Sequence, residues 1–175
     1  MPSEEEGKKT TPYIREISAG CIVFRRTQEG YEFLVLYHGH GYWNFPKGKI
    51  ENEEKSLRAA LRETREETGL TSRDLQLIPH FRAYERFTFR RGGRRVFKVV
   101  IFYLAETTKS TVRLSHEHQG YGWFSFREAK KILSKYRDSQ RVLEAAFRFL
   151  RRLERGGRRE KNKKEKSTSL SSRGE

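Results

Sequence analysis

The chain has 175 residues, of which 34% are hydrophobic and 35% are charged, and its formal net charge is +15. This length argues for one domain, the lone Cys21 excludes an internal disulfide, and no apolar run approaches the ~20 residues of a membrane helix. We therefore expect a monomeric cytoplasmic protein without membrane contact, whose basic surface favours polyanions such as nucleotides, polyphosphates or RNA.

Both ends of the chain are polar. Residues 1–12 are mostly polar and end in a proline, which predicts a disordered arm. Residues 154–175 have no apolar period and are rich in Gly, Lys, Arg and Ser, which predicts a disordered basic tail. One folded domain is therefore expected over residues 13–153.

The first predicted unit is a β-hairpin. Residues 16–26 and 31–37 are dense in β-forming residues, and Gln28-Glu29-Gly30 supplies the turn between them. The next stretch, HGHGYWNFPK at residues 38–47, has no helical or strand period. Such an aromatic loop is more often a packed floor under the next helix, but it also suits a pocket that stacks nucleobases.

The stretch from Gly48 to Leu70, GKIENEEKSLRAALRETREETGL, predicts a loop followed by a helix. Asn52 is the expected N-terminal cap and Gly69 the expected C-terminal stop. One helical face carries small and apolar residues at spacings of three and four, and it should pack on a core: Leu57, Ala60, Leu61, Thr64 and Thr68.

Three carboxylates gather on another side of this helix. Glu63, Glu66 and Glu67 stand at i, i+3 and i+4, so they repel each other unless a cation neutralises them. Mg²⁺ or Mn²⁺ prefers such oxygen ligands. Arg62 lies between the two faces and can reach back to Glu54, which gives this pair a structural role. For this fragment alone, a solvated charged face is the commoner interpretation.

A second hairpin and then helices follow. Residues 75–90 and 94–105 predict two strands around Arg91-Gly92-Gly93, residues 121–126 predict a short strand, and apolar residues at three-four spacing predict helices from residue 127. Lys98 interrupts the apolar run of the second strand. Because a buried lysine without a partner is costly, we expect Lys98 to point into the site, where phosphates or carboxylates pair with it.

The stretch from Gly48 to Leu70 resembles the box of the Nudix hydrolase family in full. The matching positions are Gly48, Glu54 and the run Arg62-Glu63-Thr64-Arg65-Glu66-Glu67-Thr68-Gly69-Leu70, with Thr64 at a position that is usually aliphatic. The resemblance implies an α/β fold, the Nudix-type α/β/α sandwich with a mixed sheet, the box loop and helix, and C-terminal helices. It also implies metal binding by Glu63, Glu66, Glu67 and the Gly48 carbonyl.

Two further motifs resemble the asymmetrical diadenosine tetraphosphate hydrolase branch of that family. They are Leu114-Ser115-His116-Glu117-His118-Gln119, followed by Trp123, and Trp43-Asn44-Phe45-Pro46-Lys47-Gly48. The resemblance implies that Glu117 approaches the metals from the opposite side, so the candidate catalytic residues are Glu63, Glu67 and Glu117. The implied substrate-binding residues are Tyr42, Trp43, Lys47, Lys98 and Tyr136. Tyr42 and Phe45 depart from the branch, which usually has histidine and proline there.

Three functions remain open. The first is asymmetrical cleavage of diadenosine tetraphosphate to ATP and AMP with Mg²⁺ or Mn²⁺. The second is an RNA 5′ pyrophosphohydrolase, or another Nudix activity, suggested by the basic tail and by the arginines of the second hairpin: Arg90, Arg91, Arg94 and Arg95. The third is a non-catalytic module that keeps the fold and binds RNA.

Overall fold

The structure is a computed structural model that describes residues 13–171, and beyond residue 157 Arg159 alone has a described side chain. The predicted arm, residues 1–12, and the last four residues of the predicted tail lie outside the described residues. Among the helices of the described part, none has the length and apolarity to cross a bilayer.

Eight strands and three α-helices follow one another along the described residues. The strands are β1 (Ile14–Thr27), β2 (Gly30–Tyr37), β3 (Trp43–Asn44), β4 (Lys47–Lys49), β5 (Gln76–Leu77), β6 (Ala83–Arg91), β7 (Arg94–Glu106) and β8 (Gly120–Ser125). The helices are α1 (Ser56–Thr68), α2 (Phe126–Ile132) and α3 (Arg137–Ser171), and a short 3-10 helix, Leu133–Lys135, separates α2 from α3.

All eight strands belong to one mixed sheet with β1 at its centre. β1 pairs with β7 in parallel and with β2 and β4 antiparallel, while β6 joins the far edge of β7. This register places Gly48 opposite Ala19 of β1, and it places Lys98 beside Glu16 of β1. The sheet therefore brings the box loop and the lysine strand to neighbouring positions.

The two faces of the sheet carry separate cores. Alternate residues of β1 point in opposite directions, so Ile22 and Phe24 join the core under α2 and α3, while Cys21 and Val23 join the core under α1. One helical layer thus covers each face. This arrangement confirms the predicted α/β/α sandwich with its mixed sheet.

Both predicted hairpins are confirmed, with one change of boundary. The turn of the second hairpin contains Gly92 and Gly93, whose φ angles of 54° and 76° suit glycine. The sequence predicts a strand from residue 75, whereas β6 begins at Ala83 and β5 forms a separate short strand. The interruption falls at His80, which has a φ of 62°.

The box helix begins later than the sequence predicts. Its N-cap is Lys55, which makes no side-chain cap, so the expected cap at Asn52 is wrong. Its end is as predicted, since Gly69 adopts a left-handed φ of 73°. The unusual Thr64 is fully buried, and its hydroxyl donates to the Ala60 carbonyl at 2.7 Å. This hydrogen bond gives the buried Thr64 hydroxyl a partner, so threonine is accommodated where an aliphatic residue is usual.

The last helix is longer than the sequence predicts. α3 runs through Ser171, where loss of the apolar period predicts a disordered tail from residue 154. Arg, Lys and Glu favour helix without such a period, because their side chains lose little freedom in it. Tyr31 donates its hydroxyl proton to the Glu154 carboxylate at 2.6 Å. The Glu154 side chain, one residue beyond the predicted boundary, therefore contacts β2.

Candidate active site

Gly48 and Glu63 lie against each other where the box loop meets helix α1. A Cβ at Gly20 would lie 2.1 Å from the Pro46 carbonyl oxygen, so glycine there lets β4 pack closely on β1. A Cβ at Gly48 would lie 2.0 Å from the carboxylate carbon of Glu63. Glycine at both positions thus seats the Glu63 carboxylate directly on the backbone of the box loop.

Arg62 ties this loop to the helix. Its Nε and one terminal nitrogen donate to the two carboxylate oxygens of Glu54, each at 3.0 Å, and the same terminal nitrogen donates to the Lys49 carbonyl at 2.9 Å. Its other terminal nitrogen donates to Glu63 at 2.7 Å and to Glu66 at 3.1 Å. These bonds lower the pKa of the Glu54 carboxyl. Arg62 therefore contacts two of the predicted metal ligands as well as its structural partner.

Glu67 is the most buried acid of α1, with 8% of its surface exposed. The Lys47 backbone N–H donates to its carboxylate at 3.1 Å. Burial raises the pKa of Glu67 to about 8, the Lys47 charge opposes this, and the charges of Glu63 and Glu117 add to it. The same influences show that Glu63, Glu67 and Glu117 share one region. Carboxylates held together in this way are stabilised by a cation.

The loop before β8 closes over this carboxylate. The backbone N–H of Ser115 donates to the Glu67 carbonyl at 3.2 Å, and the Ser115 hydroxyl lies 3.0 Å from Nδ1 of His118. His118 is buried, and its Nε2 lies 3.7 Å from the Glu67 carboxylate. Burial lowers the pKa of His118. The loop therefore brings Glu117 near the helix acids and gives Glu67 an imidazole neighbour.

Two lysines bring positive charge to the same region. Lys98 is half-buried on β7, and burial lowers its pKa, as does the charge of Lys47. The charge of Lys47 also acts on Glu67, so Lys47 lies within electrostatic reach of both that carboxylate and Lys98. Two ammonium groups that repel each other are stabilised by an anion between them. The pair therefore suits a phosphate chain.

Tyr42 and Tyr136 form an aromatic wall beside Lys47. Their ring centroids are 4.9 Å apart with planes at 73°, and the Lys47 ammonium lies 5.8 Å from the centre of the Tyr42 ring. Asn44 donates to the Tyr42 hydroxyl at 2.9 Å and fixes that ring. Partly exposed tyrosine faces of this kind can stack on a nucleobase.

Trp43, the remaining predicted substrate contact, packs on its neighbours in the fold. Its ring centroid lies 4.8 Å from that of Tyr37 and 5.6 Å from that of Phe124, at the edge of the core under α2 and α3. Trp43 therefore contacts the core, and Tyr42 has the position next to Lys47. Contact of Trp43 with the substrate stays a prediction.

The donor set fits a hard divalent cation. Across residues 13–171, no three His, Cys, Asp or Glu side chains are already arranged as a metal site, and Arg62 contacts Glu63 and Glu66 instead. The glycine cradle nevertheless holds a carboxylate against the Gly48 backbone, and the acids beside it present oxygen atoms, as Mg²⁺ and Mn²⁺ prefer.

Comparison with known proteins identifies the family of this chain. A model of the NUDIX domain matches residues 14–146. A mouse protein named bis(5′-nucleosyl)-tetraphosphatase [asymmetrical] is 36% identical over 143 residues, which cover 76% of this chain and 94% of the mouse chain. A Caenorhabditis elegans protein of the same name is 35% identical over 119 residues, covering 66% of this chain and 83% of its own.

Comparison with solved structures identifies the same family. The crystal structure of a C. elegans Ap4A hydrolase binary complex matches with a TM-score of 0.66 at 30% identity, covering 77% of this chain and 97% of that one. The chain therefore belongs to the Nudix family and is a Nudix hydrolase. Within that family, it is homologous to the asymmetrical tetraphosphatases. The resemblance predicted from the box is confirmed.

Two side chains near the site are buried although the sequence did not predict their burial. The sequence treats His118 as part of a polar loop, yet it is buried against Glu67. Glu85 of β6 is 2% exposed, and burial raises its pKa while the charges of Lys47 and Lys98 lower it. The sequence signal for Glu85 is its position two residues after Ala83, which is also buried, since alternate strand residues share a face.

Proposed function

We propose that this Nudix hydrolase cleaves a dinucleoside polyphosphate asymmetrically, with diadenosine tetraphosphate giving ATP and AMP. One observation carries the proposal: the Lys47 backbone bonds to the buried Glu67 carboxylate, and the Lys47 charge acts on both Glu67 and Lys98, so acids and cations share one region. A polyphosphate needs both, because its own charges repel a nucleophile until they are neutralised. The names of the mouse and C. elegans relatives support this substrate class.

We assign Mg²⁺ or Mn²⁺ to the carboxylate side of the site. The residues that would hold it are Glu63, Glu66, Glu67, Glu117 and the Gly48 carbonyl. When bound, such an ion neutralises phosphate oxygens and lowers the pKa of a coordinated water. The Glu63 carboxylate already rests on Gly48, which supports joint use of the two. Arg62 would keep its bonds to Glu54 and to the Lys49 carbonyl, which position the loop for this task.

The remaining residues bind the substrate. Lys47 and Lys98 pair with the phosphate chain, since the Lys47 charge acts on both Glu67 and Lys98 and the two lysines repel each other without an anion. Tyr42 and Tyr136 stack on one nucleobase from the side of Lys47. One of the three carboxylates Glu63, Glu67 and Glu117 acts as the general base and accepts the proton of the attacking water.

The products test this proposal directly. Purified protein with Mg²⁺ is offered diadenosine tetraphosphate, and the products are separated by chromatography. ATP and AMP in equal amounts are expected. Two ADP molecules would contradict asymmetrical cleavage, and absence of turnover with either Mg²⁺ or Mn²⁺ would contradict the substrate. In water enriched in ¹⁸O, the label identifies which phosphorus the water attacks.

A second candidate is hydrolysis of a triphosphorylated RNA 5′ end. It is favoured by the turn between β6 and β7, where Arg90, Arg94 and Arg95 are exposed and have no carboxylate within 4.0 Å in the described part of the chain. The adjacent Arg91 is held by Glu16. Competition between triphosphorylated RNA and diadenosine tetraphosphate separates the two, because the preferred substrate has the higher kcat/KM.

A further inference from the structure

A basic groove lies along the middle of helix α3, apart from the acid cluster. It is an open cleft of about 770 Å³ between this helix and the loop that leads into β6. We call it the arginine groove and define it by His80, Phe81, Arg148, Phe149, Arg152 and Arg155. Ser139, which lies near Glu85, precedes Arg152 by thirteen residues, or ~20 Å along the helix. The groove therefore does not belong to the phosphate-binding region around Lys47.

The charge of the groove is largely unbalanced. Residues 145–159 contain six arginines and one acid, Glu154, which already bonds to Tyr31 and to Arg151. Arg148, Arg152 and Arg155 are exposed, and none has a carboxylate within 4.0 Å among the described residues. Several unpaired guanidinium groups on one helical face repel each other and attract a polyanion.

The spacing of these arginines suits a chain of phosphates. Arg148, Arg152 and Arg155 are four and three residues apart, so they lie on one face with successive rises of ~6 and ~4.5 Å. This gives a row of cations rather than a single cluster around one anion. A guanidinium presents paired donors that match phosphate oxygens.

The floor of the groove is aromatic. The Arg152 guanidinium lies 5.5 Å from the centre of the Phe149 ring, and Phe149 packs edge-to-face on the buried Phe81 at 5.4 Å. Stacking on Phe149 orients the Arg152 plane, and a flat guanidinium can itself stack on an unpaired base. A membrane would instead require bulky apolar groups that protrude, whereas these rings lie beneath the arginines.

We propose that the arginine groove binds the backbone of single-stranded RNA, with the guanidinium row on phosphates and Arg152 available to an unpaired base. RNA rather than DNA is favoured because RNA commonly presents unpaired bases, whereas DNA is mostly duplex. Binding at this groove requires neither the acid cluster nor turnover. It therefore goes beyond the proposed hydrolysis of a dinucleoside polyphosphate.

The test is fluorescence anisotropy with the full chain and a single-stranded RNA of about 12 nucleotides, within the range of known single-strand sites. The RNA carries a 5′-hydroxyl, so it offers no 5′ phosphate to the hydrolase site. The groove variant is R148S/R152S. The matched control is R73S/R113S, which removes two exposed arginines from the side of the sheet covered by α1.

The groove variant should bind RNA at least ~10-fold more weakly than the natural chain at moderate salt. The slope of log affinity against log salt should decrease in magnitude by ~1.4, which corresponds to two phosphate contacts on a single strand. The control variant should bind as the natural chain does. Hydrolysis of diadenosine tetraphosphate should be unchanged in both variants, so failure of RNA binding and failure of the hydrolase assignment are distinguishable.

Four outcomes would overturn the proposal. They are absence of RNA binding by the natural chain, equal weakening in the control, tighter binding of DNA of the same sequence, and capture by phosphatidylserine vesicles with no binding to RNA. Circular dichroism of the variants establishes that the helix persists. R148K/R152K, which keeps the charge but removes the planar fork, should regain part of the lost affinity.

Discussion

The Glu63 carboxylate occupies the space that a side chain at Gly48 would need. A Cβ built on Gly48 comes within 2.2 Å of all three carboxylate atoms of Glu63. The box helix and the box loop thus fit together because one residue has no side chain. The position of a key carboxylate is set by glycine at the loop, in addition to the helix that carries it.

This relationship predicts the effect of Gly48→Ala. The new methyl group must push the Glu63 carboxylate away, so we expect hydrolysis to fall by at least ~10-fold, since small misplacements in a site cost about this much or more. The free energy of unfolding should change little, because Glu63 can turn towards solvent. Steady-state kinetics and urea unfolding measure the two effects. The control is Gly156→Ala, which meets nothing within 4 Å and lies in a helix, so it should leave activity intact. Full activity in Gly48→Ala would contradict the tight fit.

The second prediction concerns the buried acid Glu67. Glu67→Gln keeps the shape and the bond from the Lys47 N–H but removes the charge, and we expect kcat to fall by ~10²-fold or more. Titration with Mn²⁺, followed by electron paramagnetic resonance, should show weaker metal binding. Glu29→Gln, in the exposed turn after β1, is the matched control. Undiminished turnover and metal affinity in Glu67→Gln would refute the role of this carboxylate.

The third prediction is a pH dependence of stability due to His38. Burial, together with the charges of Lys47 and His118, lowers the pKa of His38 to about 4. The unfolded state therefore binds the proton more readily, so stability is full above the ordinary histidine pKa and is lost as pH falls from about 6.5 towards 4. Because the ring is only half-buried, we expect a loss of ~1–2 kcal/mol.

The variant His38→Gln should have a smaller loss over the same pH range. Thermal unfolding at several pH values between 7 and 4.5 makes the comparison. The pKa of His118 is also lowered, so it contributes with the same sign in both proteins. Because the two imidazole rings lie 4.5 Å apart, the difference between the curves reports His38 together with its coupling to His118. Parallel curves for the natural chain and the variant would show that His38 does not carry this dependence.

The fourth prediction concerns the end of the folded domain. Tyr31 and Glu154 are 123 residues apart in sequence and form a hydrogen bond of 2.6 Å. A double-mutant cycle with Tyr31→Phe and Glu154→Gln should give a coupling energy of ~1–2 kcal/mol in urea unfolding. A chain that ends at residue 153 should lose comparable stability, whereas one that ends at residue 157 should retain it. Equal stability of the two truncated chains would show that Glu154 adds nothing to the folded domain and would contradict this prediction.

Local sequence signals predicted most of the fold. The hairpin turns at Gln28-Glu29-Gly30 and Gly92-Gly93 are governed by glycine conformations, and the stop at Gly69 by its left-handed φ, so neighbouring residues suffice to find them. The predicted start of helix α1 was wrong. Asn52 is a good cap by residue type, but the loop reaches Ser56 before the backbone turns helical. Arg62, rather than a cap, anchors that loop.

The site, too, could be predicted only in part from the sequence. The box placed Glu63, Glu66 and Glu67 on one helix by spacing alone, but spacing could not tell which of them would be buried. That depends on Lys47 and the loop that carries His118, which come from distant parts of the chain. Glu85 became important only when β6 paired with β7 and turned it inward.

By itself, the sequence determined the family, the box helix, the hairpins and the set of acids and lysines, because these follow from local spacing and residue type. The tertiary structure decided which carboxylate loses its solvent, which aromatic ring lies beside Lys47, and that Glu154 contacts Tyr31. The physical reason is that burial and charge coupling arise between residues far apart in the chain. Their strength depends on distances that exist only after folding.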